Sequence, residues 1–448
     1  MMRLTVLSIF IFWGCRSENS PVNDKNITLI TLDPGHFHAA LVQKSMYKEI
    51  NPSVFIYAPI GADLQLHLER INTFNNRPEN PTAWQTEVYS GADFFEKMLT
   101  EKKGNVVVLS GNNKKKTEYI YKAVNAGFHV YADKPMAINS EDFNLLQKAF
   151  KTAAENNLLI YDIMTERFEI ATMLQKEISK LPGIFGDLQN GTVDNPAVTK
   201  ESIHHFYKYV SGNVLTRPAW FFDTEQEGEG IVDVTTHLVD LIHWECFPGQ
   251  IINYDTDIEL ISAKRWTTDL TLAEFSAVTR QNNFPDYLQK NVENSVLKVF
   301  SNGSFNYKIK GVHARVSVSW AYKAVEGAGD THYSIMRGTK SNLVIRQGTE
   351  QNFIPTLYIE AVENATISEA EFTNIQLKYP GVELQQDGKG YRVIIPEEYH
   401  VGHEAHFTEV TKKFIEYLLN NSMPEWEVPN MTAKYYLTTK ALQMAGKN

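Results

Sequence analysis

The sequence is short of cysteine: its 448 residues hold two, Cys15 and Cys246. Cys15 belongs to an apolar N-terminal stretch, so the body of the chain has one thiol and no internal disulfide framework. Positive charge is also scarce. Lys and Arg number 43 against 53 Asp and Glu, a net charge of −10. A nucleic-acid partner needs a positive surface field, so the balance argues against one. Past the N-terminus, no apolar run reaches bilayer-spanning length without charges. There is no internal repeat and no low-complexity tract. What is present is an ordinary globular composition, 43% hydrophobic and 21% charged. The length implies two or three domains with sizeable cores. Aromatic residues make up 12%, which suits stacking on sugar rings and equally suits large cores.

The N-terminus "MMRLTVLSIFIFWGC" carries one basic residue, Arg3, then an apolar run from Leu4 to Trp13, then Gly14 and Cys15. The run is too short to span a membrane as a helix. A small residue directly before a cysteine resembles a bacterial lipoprotein signal, in which Cys15 is lipidated and becomes the mature N-terminus. A plain secretory signal is the alternative. The lipoprotein resemblance implies a lipid-anchored protein of the bacterial cell envelope, periplasmic or at the outer-membrane surface. Residues 1–25 are then signal and tether.

From Asn26 the pattern alternates. Strand-like runs "NITLITL", "SVFIYAP", "TEVYS", "NVVVLSGNN", "FHVYADKP" and "LLIYDIM" are separated by helical patterns such as "AALVQKSMYKEI", "GADFFEKMLTEKK", "KTEYIYKAVNAG" and "SEDFNLLQKAFKTAAENN". The last opens with Ser140 as the expected N-cap. Alternation at this spacing predicts βαβ units and a parallel sheet, with ligands at the carboxyl ends of its strands. Asp33, Ser110 to Asn112 and Lys134 fall at those ends. The rhythm changes near Glu166. After a helix in "EGEGIVDVTTHLVDLIHWECF", the pattern from Ile251 to about Val393 is mostly strand-like, with Gly, Asn and Asp turns. That predicts a large mixed or antiparallel sheet, closed by the helices "HFTEVTKKFIEYLLNN" and "TAKYYLTTKALQMAG". The fold class is therefore α/β.

Two stretches carry chemistry. In "YADKPMAI" a lysine, Lys134, stands where a buried strand stops. In "GEGIVDVTTHLVDLIHW", Asp233 and His237 are four apart and would share one face of a helix. A His beside a carboxylate can accept a proton near neutral pH. The glycines ahead of it allow another backbone or a flat ligand ring to come close. A charged turn and a satisfied helix histidine are the plainer alternatives.

Taken together, these pieces resemble the glucose–fructose oxidoreductase / inositol dehydrogenase / MocA family. The family has Glu-Lys-Pro at that strand exit, where this chain has Asp133-Lys134-Pro135. It has a later glycine cluster with an Asp and a His four residues on, matched by Asp233 and His237. "LPGIFGDL" (181–188) stands at the turn that opens the second domain. "SGNN" (110–113) stands where the family has Thr-Pro-Asn. "ERF" (166–168) matches its Arg-Phe after the sixth strand. The resemblance runs from Asn26 through most of the chain. It implies a dinucleotide-binding Rossmann domain over 26–163 and a substrate-binding α/β domain over 164–448, including the C-terminal helices. It implies NAD or NADP as cofactor, held tightly, since an exported enzyme meets little free dinucleotide. Gly35, His36, Phe37, His38, Ser110, Gly111, Asn112 and Lys134 would bind it. Lys134 would also stabilise a developing alkoxide, His237 would take the hydroxyl proton, and Asp233 would orient the imidazole or the sugar. Arg167, His204, His205 and Asp233 would contact a small carbohydrate. A homo-oligomer through the C-terminal sheet is expected, and no metal.

The sequence departs from the family twice. The dinucleotide turn G-x-G-x-x-G is replaced by "LDPGHFHAA", in which Gly35 alone survives. Asp33 takes the first glycine position and is expected to serve as a helix cap or turn residue. The acidic residue that usually follows the second strand is replaced by Tyr57, Ala58 and Pro59, so NAD and NADP stay open. Other activities fit parts of the pattern. One is a glycosidase that oxidises a ring carbon transiently, eliminates and reduces again. A second is a carbohydrate-binding lipoprotein without cofactor chemistry. A third is a metal-dependent barrel hydrolase, suggested by His36-x-His38 with His204 and His205 as further ligands. The third leaves Lys134 and the glycine-rich helix start unexplained.

Overall fold

The computed structural model describes residues 27–447 apart from 211–212, 326–327 and 364. Cys15 and its leader lie outside the described residues. The first half alternates β1 (Leu29–Leu32), α1 (His38–Leu41), β2 (Ser53–Ala58), α2 (Ala62–Asn76), β3 (Gln85–Ser90), α3 (Phe94–Glu101), β4 (Val106–Leu109), α4 (Lys116–Asn125), β5 (His129–Asp133), α5 (Ser140–Glu155) and β6 (Ile160–Ile163). The six strands are parallel and run β3-β2-β1-β4-β5-β6. β1 and β4, "LITL" and "VVVL", are buried at every position, as central strands covered on both faces must be. β3 is an edge strand and is polar and largely exposed. The order reverses between β1 and β4, which places the ligand crevice at their carboxyl ends.

Two local expectations are corrected here. The helix read over "AALVQKSMYKEI" is a single turn, His38–Leu41. Its continuation is lost to side chains that take the carbonyls: Trp84 Nε1 donates to Gln43 O at 2.6 Å and Arg77 Nη2 to Lys44 O at 2.7 Å. The N-cap of α5 is Asn139, whose Oδ1 accepts from Asp142 N at 2.8 Å, and Ser140 is the first helical residue.

The second half continues with α6 (Ile170–Ser179), β7 (Val198–Tyr207), a short hairpin of β8 (Tyr209–Val210) and β9 (Asn213–Val214), α7 (Thr235–Cys246), β10 (Ile258–Thr271), α8 (Leu272–Thr279), β11 (Val292–Glu293), β12 (Val296–Ile309) and β13 (Val312–Lys323). Then come β14 (Thr331–Arg337), β15 (Ser341–Arg346), β16 (Thr356–Ala361), α9 (Glu369–Lys378), β17 (Glu383–Asp387), β18 (Gly390–Ile394), α10 (His403–Asn420) and α11 (Glu427–Ala445). A ten-stranded sheet is ordered β10-β12-β13-β7-β14-β15-β16-β18-β17, with β11 beside β12. Its pairings are antiparallel except β13 with β7. The fold is a Rossmann-like parallel sheet followed by a large, mostly antiparallel one. His204 and His205 lie in β7, in the interior of the second sheet. The first sheet is open, which rules out the barrel that the hydrolase alternative requires.

The last two helices stitch the halves together. Phe407, Val410 and Phe414 of α10 join the core of the first sheet, with Phe414 stacked on Tyr131 at 4.5 Å. α11 gives Met431 and Tyr435 to that core and Ala433, Leu437 and Ala441 to the other. The apolar residues of residues 164–448 therefore do not all serve the second sheet.

Candidate active site

β5 ends at Asp133 and delivers Lys134 into the gap between the sheets. Lys134 Nζ lies 2.5 Å from Asp233 Oδ1, with both side chains mostly buried. Burial opposes the ammonium, but Asp233 and Asp133 outweigh it and hold the Lys134 pKa above its ordinary value. Asp233 sits in the turn ahead of α7 rather than on the helix, which corrects the sequence expectation. Gly230 fixes that turn. A Cβ there would stand 1.7 Å from Ser301 O of β12, so the glycine admits a neighbouring backbone and not a ligand ring.

His237 follows from the same geometry. The Asp233 carboxylate that the sequence assigned to its support is taken by Lys134. Burial and then the Lys134 charge push the imidazole down to about 3, not to a value near neutrality. His237 is therefore neutral at ordinary pH, and its buried Nδ1 has no hydrogen-bond partner.

These three residues line a cleft of about 1440 Å³. Eight of the 13 histidines face it: His36, His38, His204, His237, His332, His400, His403 and His406. An acidic group, Glu166, meets His403 at 3.5 Å. The far wall is aromatic. His204 stacks on Trp320 at 5.0 Å, and the Arg217 guanidinium lies 4.3 Å from the Phe221 ring and 5.4 Å from Trp320. Asp330 gathers His204 Nδ1 at 3.2 Å, His205 Nδ1 at 3.3 Å and Lys208 Nζ at 2.7 Å. Burial opposes the Asp330 charge, yet these partners hold its carboxyl far below the usual range. Glu227 behaves oppositely. Burial and then the Asp233 charge push its carboxyl well above the usual range, against the pull of Lys134. Glu166, Arg217, Glu227, Asp330 and His403 were not singled out from the sequence. Glu227 had a signal, its place directly before Gly228-Glu229-Gly230.

Several residues chosen from the sequence stand elsewhere. Arg167 does not face the cleft. Its Nε and Nη2 donate to Asp240 at 2.6 and 2.8 Å, and its Nη1 donates to Glu427 at 2.9 Å. His205 is buried behind His204 and is held by Asp330 through both its ring and its backbone N–H. Ser110 Oγ donates to Asp133 Oδ2 at 2.9 Å, and Asn112 Nδ2 donates to Gln226 Oε1 at 2.7 Å. Asp33 is a turn residue, with φ +48° and a carboxylate accepting from Tyr119 Oη at 3.1 Å, and it caps no helix.

The fit of a dinucleotide differs along the crevice. At the Lys134 end the groups fit a nicotinamide and a polar substrate: an ammonium, an unpartnered imidazole nitrogen and open volume, beside His36, Phe37 and His38. At the β1 turn the usual phosphate donors are engaged, since Gly35 N and His36 N both donate to Ser110 O at 3.2 Å. Trp220 lies over Gly35. A Cβ on that glycine would stand 3.0 Å from the indole, whose Nε1 donates to Asp63 Oδ2 at 2.9 Å. Gly111 is packed more closely still, its Cβ position 2.3 Å from Asp33 O. A diphosphate along β1 therefore requires Trp220 to leave Gly35.

A nucleotide-binding parallel sheet joined to a broad second sheet over a lysine-bearing cleft defines an NAD(P)-dependent oxidoreductase. Residues 64–161 match the model described as "Oxidoreductase family, NAD-binding Rossmann fold", and residues 174–446 match the "Putative oxidoreductase C terminal domain". The chain is 55% identical to a "putative oxidoreductase" from Parabacteroides merdae, over 94% of this chain and 98% of that one, with a TM-score of 0.92. The fold is shared with a "putative oxidoreductase" from Thermotoga maritima, 14% identical over 94% and 98% at a TM-score of 0.60. It is shared with a levoglucosan dehydrogenase in complex with NADH and levoglucosan, 13% identical over the same shares at a TM-score of 0.60. No match was found among curated proteins. The chain belongs to the glucose–fructose oxidoreductase / inositol dehydrogenase / MocA family, and its cofactor is NAD(P).

Proposed function

We propose that the protein oxidises a hydroxyl of a sugar, glycoside or polyol bound in the histidine-rich cleft. The observation that carries this is the Lys134–Asp233 pair beside neutral His237, at a strand end that opens on aromatic walls. A bound nicotinamide would supply the hydride acceptor. The chain's own residues manage the proton and the charge. Lys134 Nζ donates to the reacting oxygen and stabilises the alkoxide as it forms. The imidazole of His237 accepts the hydroxyl proton. A base held this low is weak, so the step depends on Lys134 lowering the pKa of the hydroxyl and on Glu166 and Asp233 facing the imidazolium. Asp233 keeps Lys134 aimed. His204, with Trp320 behind it, and Arg217 face a sugar ring from the far wall. His36, Phe37, His38 and Lys134 would flank the nicotinamide half, and Gly35, Ser110, Gly111 and Asn112 would meet the diphosphate once Trp220 leaves Gly35. A levoglucosan dehydrogenase that shares the fold has been seen in complex with NADH and levoglucosan, which supports the reading.

The test is hydride transfer. The protein is incubated with NAD⁺ or NADP⁺ and a panel of sugars and glycosides, and reduced nicotinamide is followed by absorbance. Steady reduction with one sugar class supports a net dehydrogenase. Aglycone release without net reduction would replace it by the transient-oxidation glycosidase, and dinucleotide recovered on denaturing the protein would establish a tightly held cofactor. We also infer a lipid anchor at Cys15 and a cell-envelope location, from the "FWGC" pattern. Membrane association unchanged in Cys15→Ser would overturn that.

A further inference from the structure

We propose that His36, His38 and Asp133 form a site for one divalent transition-metal ion of the zinc class, open to the cleft. The three come from the β1 turn and the end of β5, and their ligand atoms lie within 4.8 Å of one another. His38 Nδ1 stands 2.9 Å from Asp133 Oδ2, and His36 Nδ1 stands 3.5 Å from the same oxygen. A tetrahedral ion with bonds of about 2.0–2.2 Å holds its ligand atoms roughly 3.3–3.5 Å apart, so small movements bring the set to that spacing. One carboxylate with two imidazoles is a donor set that suits zinc and its neighbours.

A hydrogen bond explains His38 against Asp133, but it does not explain the second imidazole. His36 Nδ1 is buried and has no hydrogen-bond partner, although it converges on the same carboxylate. A buried acceptor left unmade is costly, and an ion at the centre of the three groups satisfies it. The carboxylate is already held in place, in part through the same oxygen. Ser110 Oγ donates to Asp133 Oδ2 at 2.9 Å, and Lys116 Nζ donates to the Asp133 carbonyl at 3.0 Å. Such outer contacts orient metal ligands. The rings are also fixed, since His36 and His38 meet edge to face at 4.1 Å and His38 packs on Phe407 at 4.6 Å. Lys134, whose charge reaches His36, is paired with Asp233 and so repels an incoming ion less. Both histidines line the cleft, which leaves the remaining coordination positions facing the ligand space. In the sequence the His-x-His pair suggested metal only through a barrel hydrolase with His204 and His205; Asp133, distant along the chain, was not among those ligands.

The experiment uses the full chain, purified without a metal-binding tag and stripped with a chelator. Zn²⁺ is titrated calorimetrically with no dinucleotide or sugar present, so the result is independent of hydride transfer. The expected result is one Zn²⁺ per chain and a rise in melting temperature on binding. His36→Asn, at a ring that is 18% exposed, should fold and weaken Zn²⁺ binding at least tenfold, with its own melting temperature unmoved by zinc. Asp133→Asn should do the same, and if it does not fold, His36→Asn decides alone. No zinc bound by the stripped protein would overturn the proposal. So would zinc bound with unchanged affinity by His36→Asn.

Discussion

The exits of β5 and β6 lie side by side, and they treat charge in opposite ways. After β6, Arg167 is bound by Asp240 and Glu427, and Lys434 joins Asp240 to Asp162. The charged groups there are buried and answered by one another. After β5, Lys134 has one partner, His237 Nδ1 has none, and both face open volume. The first arrangement braces the two sheets against each other, and the second leaves donors and acceptors for a ligand. The kind of residue does not distinguish them, since each has a cation at a strand exit. The difference is what the rest of the fold brings to it.

The largest expected effect tests the saturated side. Arg167→Ala leaves the buried Glu427 without its cation and Asp240 with Lys434 alone. Removing one partner of such a set costs about 3–5 kcal/mol, which chemical denaturation would read. The KM for substrate should stay the same in whatever fraction folds. A variant of wild-type stability with a raised KM would return Arg167 to the substrate-binding role suggested by the "ERF" match.

The next effect tests the open side. Lys134→Met keeps the stem and removes the charge, and turnover should fall by roughly a hundredfold or more. His237→Asn should cost roughly a hundredfold to ten-thousandfold. The double variant should be little worse than the poorer single, since the two act on one hydroxyl. Thermal melting should show all three folded. The acid limb of the rate profile sharpens the same point. His237 is held at about 3, so it stays neutral down to well below pH 6.5 and kcat/KM should show no inflection of its own near 6.5. An inflection there that vanishes in His237→Asn would mean that Asp233 supports the imidazole after all.

What the sequence disclosed follows the same division. β1 and β4 were legible because central parallel strands are continuous apolar runs. Lys134, Asp233 and His237 were legible because each motif is compact along the chain. Arg217, Asp330 and His403 were not, because they reach the cleft from three separate segments and nothing in their own neighbourhoods marks them. Arg167 was misread because its motif fixes a position and its partners, Asp240 and Glu427, decide its role. α1 was read too long because the residues that end it, Arg77 and Trp84, lie a full βα unit away.

A smaller effect concerns the β1 exit, where the crevice is covered. Trp220→Ala removes the ring over Gly35 and its bond to Asp63. If the dinucleotide lies along β1, it no longer has to displace the indole, and NAD(P) affinity should rise about tenfold, roughly 1.4 kcal/mol. Equilibrium binding followed by nicotinamide fluorescence would measure it. Unchanged affinity would mean that the cofactor enters without crossing Gly35.

The smallest effect concerns Asp33, at the same turn. Burial pushes its carboxyl up, and the hydrogen bond from Tyr119 offsets that only in part. A second carboxylate, Asp63, adds to the rise. Asn suits the site sterically, since it tolerates φ +48° and its Oδ1 can still accept from Tyr119. Asp33→Asn should therefore change stability by no more than about 0.5 kcal/mol, the scale of a substitution that loses no contact. Its effect on the cofactor should be favourable or nil, because removing a negative charge near a diphosphate relieves repulsion and disturbs no cap. Binding of NAD(P) to Asp33→Asn, measured beside Trp220→Ala, separates charge from steric cover at this exit. A large loss of affinity in Asp33→Asn would make the carboxylate a direct ligand of the cofactor, and the β1 exit would then belong with the open side.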